Sequence, residues 1–221
     1  KKRSHIETVN DLHEEVVNYF RVIRDNVEEL KKLIELTPYS RNEYEKAYEK
    51  ADNDIERARR FCVRCWMGFG CSNLYKNGFK SGQQVNSPNP AKSWSQLPEV
   101  MVNASERLKG VQIECLPALE LIKRYSSQDV FMYIDPPYLH ETRKNYLYKY
   151  EMEDYEHEEL LKMLKKHPGK ILLSGYESEM YNDYLSGWHK VHKSTRAESG
   201  LTRTETLWMN YEIGQLEMVI N

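Results

Sequence analysis

The stretch DVFMYIDPPYLHETRKNY, residues 129–146, ends an apolar run abruptly in an acid, two prolines and a tyrosine. Ligands of open α/β sheets bind at the carboxyl ends of strands, and Asp135 falls at such an end. Pro136 and Pro137 fix the backbone there and offer no N–H. The Asp135 carboxylate and the Pro136 carbonyl therefore remain as aimed acceptors, and the ring of Tyr138 follows at once. These groups suit a flat ring with an exocyclic amino group, such as an unstacked adenine; the alternative is a turn whose prolines merely end a strand.

Strand and helix patterns alternate around this stretch from residue 98 onward. The predicted helices are PEVMVNASERLKG, PALELIKRY, DYEHEELLKMLKK and SEMYNDYLSG, and the predicted strands are VQIEC, VFMYI, KILLSG, WHKVHKST and TETLWMNYEI. Such alternation predicts a largely parallel, doubly wound α/β sheet. The last two strands are placed to form a hairpin through RAESGLTR.

The N-terminal part begins with a short strand pattern, HIETVN, that ends at Asn10 and Asp11. One long helix is predicted through LHEEVVNYFRVIRDNVEELKKLIEL, because its apolar residues recur at helical spacing until Pro38. Ser40 is suited to cap a further helix through RNEYEKAYEKA. Asp11 itself is either the N-cap of the long helix or a ligand-binding carboxylate.

Residues 40–97 differ in character from the rest of the chain. DIERARRFCVRCWMGF predicts a helix with Phe61, Cys65 and Phe69 on one side and arginines on the other, and a loop rich in Gly, Asn, Ser and Pro is expected over about 70–98. We therefore predict that 40–97 is an insertion into a catalytic domain formed by 1–39 and 98–221.

Composition and charge limit the partners and the cellular compartment that the sequence predicts. The 221 residues carry a net charge of −2, so no global basic field indicates nucleic acid, although 30% charged residues leave room for local patches. No apolar run has the length of a membrane span, and no signal peptide is recognisable. Four cysteines without such a signal indicate a reducing, intracellular compartment.

The sequence resembles the Dam-like, D12-class (alpha-group) adenine-N6 DNA methyltransferases that depend on S-adenosylmethionine, in particular phage and prophage members. DPPY is similar to their catalytic signature, and the order of the surrounding segments matches over nearly the whole chain: IETVNDLHEEVVNYFRVIRD, ERARRFCVRCWMGFG, VQIECLPALELIKRY, GKILLSGYESEMYNDYLSGW and TETLWMNY. The resemblance implies a Rossmann-like methyltransferase sheet with an inserted helical target-recognition lobe over 40–97.

The resemblance also implies roles for single residues. Asp135 and the Pro136 carbonyl would accept hydrogen bonds from the target N6 amino group, with Pro137 completing the signature and Tyr138 stacking on the extruded base. Asp11 would grip the ribose hydroxyls of S-adenosylmethionine. The residues expected to line the cofactor site are Asn10, Asp11, Cys115, Leu116 and Asp135.

One element of the family pattern is absent. Family members carry a Phe-x-Gly-x-Gly loop after their first strand, and the sequence begins at Lys1 without it. MGFGCSN, residues 67–73, is a poor substitute because it follows a helix, and we interpret it as a glycine turn of the recognition lobe. We therefore expect the first strand to lie outside this sequence or to be lost from the gene.

Basic residues on two segments are candidates for contact with double-stranded DNA. Arginines share a face of the predicted helix in the insertion, lysines follow in its loop, and more basic residues follow DPPY: Arg57, Arg59, Arg60, Arg64, Lys76, Lys80, Arg143, Lys144 and Lys149. The alternative is a solvated face balanced by Glu45, Glu49 and Glu56. Cys62 and Cys65 have C-x-x-C spacing, but no second ligand pair completes a zinc site, so no metal is expected.

Three hypotheses of function follow. The first is a site-specific adenine-N6 DNA methyltransferase of prophage or restriction-modification type. The second is a truncated remnant that binds DNA without catalysis, and the third is amino-methylation of cytosine N4 or of an RNA base. We expect a cytoplasmic monomer or weak dimer in a bacterial or phage-infected cell.

Overall fold

The computed structural model describes residues 3–70, 75–82, 89–142, 148–196 and 202–212. The chain divides into two compact units. The first unit takes in residues 1–118 and 147–150, and the second takes in residues 119–146 and 151–221. These units do not follow the predicted boundaries at 40 and 97, so the DNA-binding lobe over 40–97 stays a prediction.

The first unit is mainly helical with one small parallel sheet. Its elements are β1 (Thr8–Asn10), α1 (Glu14–Asp25), α2 (Val27–Glu35), α3 (Arg41–Lys46), α4 (Asp54–Met67), α5 (Pro90–Leu108) and β2 (Gln112–Glu114). β1 and β2 pair in parallel, with Val9 opposite Ile113. The strands predicted in HIETVN and VQIEC are thereby confirmed.

Two predicted helix boundaries in this unit are wrong. The single helix predicted before Pro38 is two helices, because Asn26, with φ −138°, leaves the helical conformation and ends α1 just before α2 begins. α5 begins at Pro90 rather than near Pro98, because the Asn89 side chain accepts hydrogen bonds from the first turn and proline suits that turn. The long loop is correspondingly shorter, and residues 71–74 and 83–88 of it lie outside the described residues. Ser40 caps α3 as predicted, accepting from the Glu43 N–H.

The core of the first unit lies among α1, α2, α4 and α5. Its fully enclosed members include Leu30, Ile34, Ala58, Cys62, Val63, Met67 and Met101. The predicted apolar face of α4 is partly wrong. Phe61 is buried, but Cys65 is exposed and Phe69 is 51% exposed. Phe69 follows the last residue of α4, so helical spacing no longer determines where its side chain points.

The second unit is a four-stranded sheet covered by helices. Its elements are α6 (Ala118–Arg124), β3 (Phe131–Ile134), a 3₁₀ turn (His140–Thr142), α7 (Asp154–Lys166), β4 (Lys170–Gly175), α8 (Glu179–Tyr184), β5 (His189–Arg196) and β6 (Thr202–Met209). The strand order is β3-β4-β6-β5. β3 and β4 are parallel, whereas β4–β6 and β5–β6 are antiparallel, so the predicted pairing of the last two strands is confirmed. Residues 197–201, within the predicted connection RAESGLTR, lie outside the described residues.

The α/β class is confirmed, but the single predicted sheet is not. Within the described ranges the six strands form two sheets, because β1 pairs only with β2 and β3 pairs only with β4. Each of these two strands therefore presents one open edge in the described part of the chain.

The hydrophobic core of the second unit holds the parallel strands β3 and β4 in place, and Asp135 follows directly after β3. Trp208, Ile171, Leu173, Leu160 and Leu164 are fully enclosed between the sheet and its helices. At the start of β4, a Cβ on Gly169 would stand 2.5 Å from the Val130 carbonyl oxygen, so only glycine lets β4 approach the beginning of β3. None of the helices in the described ranges is long and apolar enough to cross a membrane.

Candidate active site

The register of β3 with β4 places polar side chains of the second unit side by side at the ends of the two strands. Ile134 pairs with Leu173, the last pair of this parallel ladder, so the next residues along the two strands, Asp135 and Ser174, stand side by side. The Ser174 hydroxyl lies 2.7 Å from Oδ1 of Asp135. Asp135 is exposed, whereas Ser174 is only 5% exposed. The carboxylate at the carboxyl end of β3 is therefore anchored from within the sheet.

Two further contacts define the orientation of Ser174. The phenol of Tyr133 donates to the Ser174 hydroxyl oxygen at 3.3 Å, and that oxygen also lies 3.3 Å from the carbonyl oxygen of Ile134. A hydroxyl has one proton to donate, and a carboxylate at 2.7 Å is a stronger acceptor than a carbonyl at 3.3 Å. The hydrogen-bond order is therefore Tyr133 to Ser174 to Asp135.

The residues after Asp135 form a rigid rim. Pro136 is buried, and Pro137 and Tyr138 are half-buried. The ring of Tyr138 meets the ring of Tyr176 edge to face, with centroids 4.6 Å apart and planes at 70°. Tyr176 follows directly after β4, so both strands contribute an aromatic residue. The structure thus brings together all four residues predicted to be catalytic, and it adds Ser174 and Tyr176.

A second cluster lies at the carboxyl end of the β1–β2 pair in the first unit. The Asn10 side chain donates to the Leu116 carbonyl oxygen at 3.0 Å and accepts from the Leu116 N–H at 3.0 Å. Both ends of its amide are therefore used to join the segment after β1 to the segment after β2. Cys115 is exposed, and its thiol lies 3.7 Å from the Leu12 carbonyl oxygen. The structure places the predicted residues Asn10, Cys115 and Leu116 together.

Asp11 belongs to this cluster and does not cap α1. Its Oδ1 accepts from the His13 N–H at 2.8 Å, which makes a tight turn. The N-cap of α1 is His13, whose Nδ1 accepts from the Glu15 N–H at 3.1 Å. Desolvation lowers the pKa of His13 below its ordinary value of 6.5, which favours the neutral ring that this cap needs. Of the two interpretations of Asp11, the N-cap is therefore wrong.

The start of α1 is also held by the segment that follows residue 147. The Tyr150 phenol donates to Glu14 at 2.7 Å, and the Lys149 ammonium approaches the same carboxylate at 3.0 Å. These donors, Tyr150 first, lower the pKa of Glu14 to about 2. Lys149 is thus occupied by a carboxylate of its own unit.

Comparison of the chain with models of protein families identifies the family to which it belongs. The family model of the D12 class N6 adenine-specific DNA methyltransferases matches residues 1–198. The chain belongs to this family. That match spans both units and includes Asp135, Tyr138, Ser174 and Tyr176, and it confirms the family that the DPPY stretch predicts.

A curated relative agrees with the family assignment. The type II methyltransferase M.MjaIII of Methanocaldococcus jannaschii is 27% identical over 206 aligned residues, which cover 82% of this chain and 69% of the relative. Membership of the family and this relative together support DNA methyltransferase activity.

The predicted DNA-contacting arginines that lie on α4 of this methyltransferase have internal partners. Arg57 and Arg64 bind Glu15 at 2.9 and 3.1 Å. Arg60 binds Glu56 at 2.7 Å and donates to the carbonyls of residues 49 and 50. These contacts give each arginine a structural function within the first unit, and their contact with DNA stays a prediction.

Two of the lysines predicted to contact DNA, Lys76 and Lys80, lie in the segment that follows α4. Lys80 donates its N–H to the Met67 carbonyl oxygen at 2.7 Å, and Phe69 donates to Gly78 at 2.9 Å. The exposed side chains among the described residues here include those of Trp66, Phe69, Tyr75 and Lys76. Lys76 lies 5.6 Å from the ring centroid of Tyr48. Arg143 and Lys144 lie outside the described residues.

Sequence reasoning did not find Ser174 or Tyr176. One signal was available, because Ser174 is the polar residue that ends the apolar run KILLSG, just as Asp135 ends VFMYI. Among the residues that the structure describes, no group of three or more His, Cys, Asp or Glu side chains is placed to hold a metal ion.

Proposed function

We propose that the protein transfers a methyl group from S-adenosylmethionine to the N6 amino group of a flipped adenine in duplex DNA. The observation that carries this proposal is the Asp135 carboxylate at the end of β3, anchored by Ser174 at 2.7 Å and followed by the Pro136 carbonyl and the Tyr138 ring. Two acceptors and an aromatic face match an amino group on a flat heterocycle.

In this proposal the residues of the second unit act on the amino group of the base. Asp135 and the Pro136 carbonyl accept its two N–H groups, which directs the nitrogen lone pair away from the ring plane and toward the methyl donor. Tyr138 stacks on the base and Tyr176 supports Tyr138 from its edge. Catalysis then rests on positioning and electrostatics, and no covalent enzyme intermediate is required.

The first unit supplies the residues proposed to hold the cofactor. S-adenosylmethionine, when bound, supplies an electrophilic methyl group on a sulfonium. Asp11 fits a ribose because only its Oδ1 is engaged by a described residue, which leaves Oδ2 to accept from a hydroxyl. Asn10 and Leu116 saturate each other, so we propose that they form a wall with Cys115 rather than direct polar contacts.

We propose that the complete Rossmann-like sheet has one strand more than the described strands. The pattern Phe-x-Gly-x-Gly does not occur in the 221 residues. β1 and β3 each have an edge to which no described strand is bonded, and a further strand with its glycine loop can pair at such an edge. We propose that this strand belongs to the functional enzyme.

We propose that residues 40–97 are the DNA-binding part. Exposed aromatic rings and a lysine in one segment suit a surface for nucleic acid, and Trp66, Phe69, Tyr75 and Lys76 are exposed within a short stretch of sequence. Phosphate contacts from Lys76 and Lys80 would set the register of the duplex. A cytoplasmic protein follows from a DNA substrate, and prophage or restriction-modification origin stays a prediction.

Calorimetric titration of S-adenosylmethionine tests the cofactor part of the proposal. Asp11→Ala is expected to weaken binding by tenfold or more, because a hydrogen bond to a charged group contributes about 1.5–3 kcal/mol and about 1.4 kcal/mol corresponds to tenfold in Kd. Asp52→Ala is the matched control, because Asp52 is an exposed aspartate of the same unit. Equal affinity of Asp11→Ala and the wild type would overturn the role of Asp11.

A further inference from the structure

The buried hydroxyl of Ser174 has no part in the family signature DPPY, yet it touches the carboxylate on which the proposed chemistry depends. We propose that Ser174 is a positioning residue: it holds Oδ1 of Asp135, so that Oδ2 is the oxygen presented to the target amino group, and Tyr133 holds Ser174 in turn. This inference rests on the proposed function and deepens it.

The register of β3 with β4 places Ser174 next to Asp135. Ser174 is also paired across β4–β6 with Leu207. Ser174 follows directly after Leu173, which is paired with β3, and is itself paired with β6, so its backbone has little freedom to move. The hydroxyl at 2.7 Å is therefore a fixed donor rather than a passing surface contact.

The orientation of the donor is also determined. Ser174 can send its one proton to Asp135 or to the Ile134 carbonyl oxygen. The Tyr133 phenol occupies a lone pair of the serine oxygen at 3.3 Å, which leaves the serine proton for the shorter, charged acceptor. Removal of Ser174 would therefore leave Asp135 without its hydrogen-bond partner among the described residues.

Loss of this anchor has a specific consequence for an exposed carboxylate. Asp135 is exposed, so without Ser174 its carboxyl group rotates among several orientations instead of one. The target amino group would then meet a correctly placed oxygen for only part of the time. A misplacement of about 1 Å costs on the order of 100-fold in rate, and binding of the base by Tyr138 is not affected.

The test is a comparison of Ser174→Ala, Ser174→Thr and Thr206→Val with the wild type, all as the full-length protein. Ser174→Thr retains the hydroxyl. Thr206→Val is the matched control, because Thr206 is a fully buried hydroxyl of the neighbouring strand that pairs with His192 at 3.2 Å. The measurements are kcat and KM for methylation of an unmethylated duplex, the melting temperature of the protein, and, with a second duplex, the fluorescence of 2-aminopurine placed at the target position.

The expected result for Ser174→Ala is a fall in kcat of about 10- to 100-fold with KM changed less than about threefold. Base extrusion, seen as 2-aminopurine fluorescence, should equal that of the wild type, and Ser174→Thr should recover most of kcat. Thr206→Val should lower the melting temperature by about as much as Ser174→Ala does, while the kcat of Thr206→Val stays at the wild-type value.

Two results would overturn the inference, and a third bears on the function itself. A kcat of Ser174→Ala equal to that of the wild type removes the positioning role. Equal losses of kcat in Ser174→Ala and Thr206→Val assign the effect to general destabilisation. A wild-type protein that extrudes no base and methylates no duplex contradicts the proposed function, and the inference fails with it.

Discussion

Replacement of Asn10 by alanine separates a structural role from direct contact with the cofactor. The Asn10 amide makes two hydrogen bonds of 3.0 Å with the backbone of Leu116. Each is worth about 1 kcal/mol net, so Asn10→Ala is expected to destabilise the β1–β2 region by about 2 kcal/mol. β1 and β2 share only three residue pairs, so this loss is large relative to the pairing that remains.

Hydrogen exchange of the Leu116 amide reads out this loss directly, because that N–H donates to Asn10. A loss of about 2 kcal/mol corresponds to exchange about 30-fold faster. Asn10→Asp is the matched control: it keeps the acceptor for the Leu116 N–H, so protection of this amide should persist. Calorimetry with S-adenosylmethionine should show weaker binding for Asn10→Ala in parallel with the lost protection.

The reasoning would be refuted by a Leu116 amide that exchanges at the wild-type rate in Asn10→Ala. Weaker cofactor binding with full protection at Leu116 would instead mean that Asn10 touches the cofactor itself.

Three further predictions concern the first unit. Because the pKa of His13 is lowered, the folded protein binds the imidazole proton less tightly than the unfolded chain does, and stability falls as the pH drops through 6.5, the ordinary pKa of histidine. Asn at position 13 can cap the helix without titrating. Urea titrations at about pH 7.5 and about pH 5.5 should therefore show a smaller effect of pH on the stability of His13→Asn than on that of the wild type. Burial raises the pKa of the Cys62 thiol to about 12, so iodoacetamide followed by peptide mass spectrometry should modify the exposed Cys65 and leave Cys62 intact in the native protein. Lys76→Ala should lower the slope of log affinity for duplex DNA against log salt concentration by about 0.9, and an unchanged slope would exclude a phosphate contact at this residue.

Local sequence signals predicted the elements that depend on short-range chemistry. An apolar strand that ends in Asp135 and two prolines predicted both the end of β3 and the acceptors there, because rigid backbone and side-chain charge act at the same position. Ser40 was correctly expected to cap a helix, since a hydroxyl before a helical pattern has few other partners. The family match over residues 1–198 agrees with the function that these residues indicate.

The errors arise where tertiary contacts decide between local alternatives. Helical spacing continues through Asn26, but the backbone breaks there and lets α1 and α2 pack on the core separately. On α4, Glu15 of the neighbouring helix α1 binds two of the arginines, a pairing that no local pattern indicates. The contact of these arginines with DNA stays a prediction.

The second half of the candidate site was missed for a related reason. Ser174 lies 39 residues after Asp135, and only the register of β3 with β4 brings them within 2.7 Å. A single sequence marks the ends of strands but does not say which strands are neighbours. The same holds for Tyr176 and Tyr138, whose contact depends on that register.

The most direct test of the central claim is nucleoside mass spectrometry of duplex DNA incubated with the protein and S-adenosylmethionine carrying a labelled methyl group. Asp135→Ala serves as the control that removes the proposed acceptor. The account predicts labelled N6-methyldeoxyadenosine with the wild type and none with Asp135→Ala. Label in N4-methyldeoxycytidine, or equal labelling of adenine by both proteins, would contradict it.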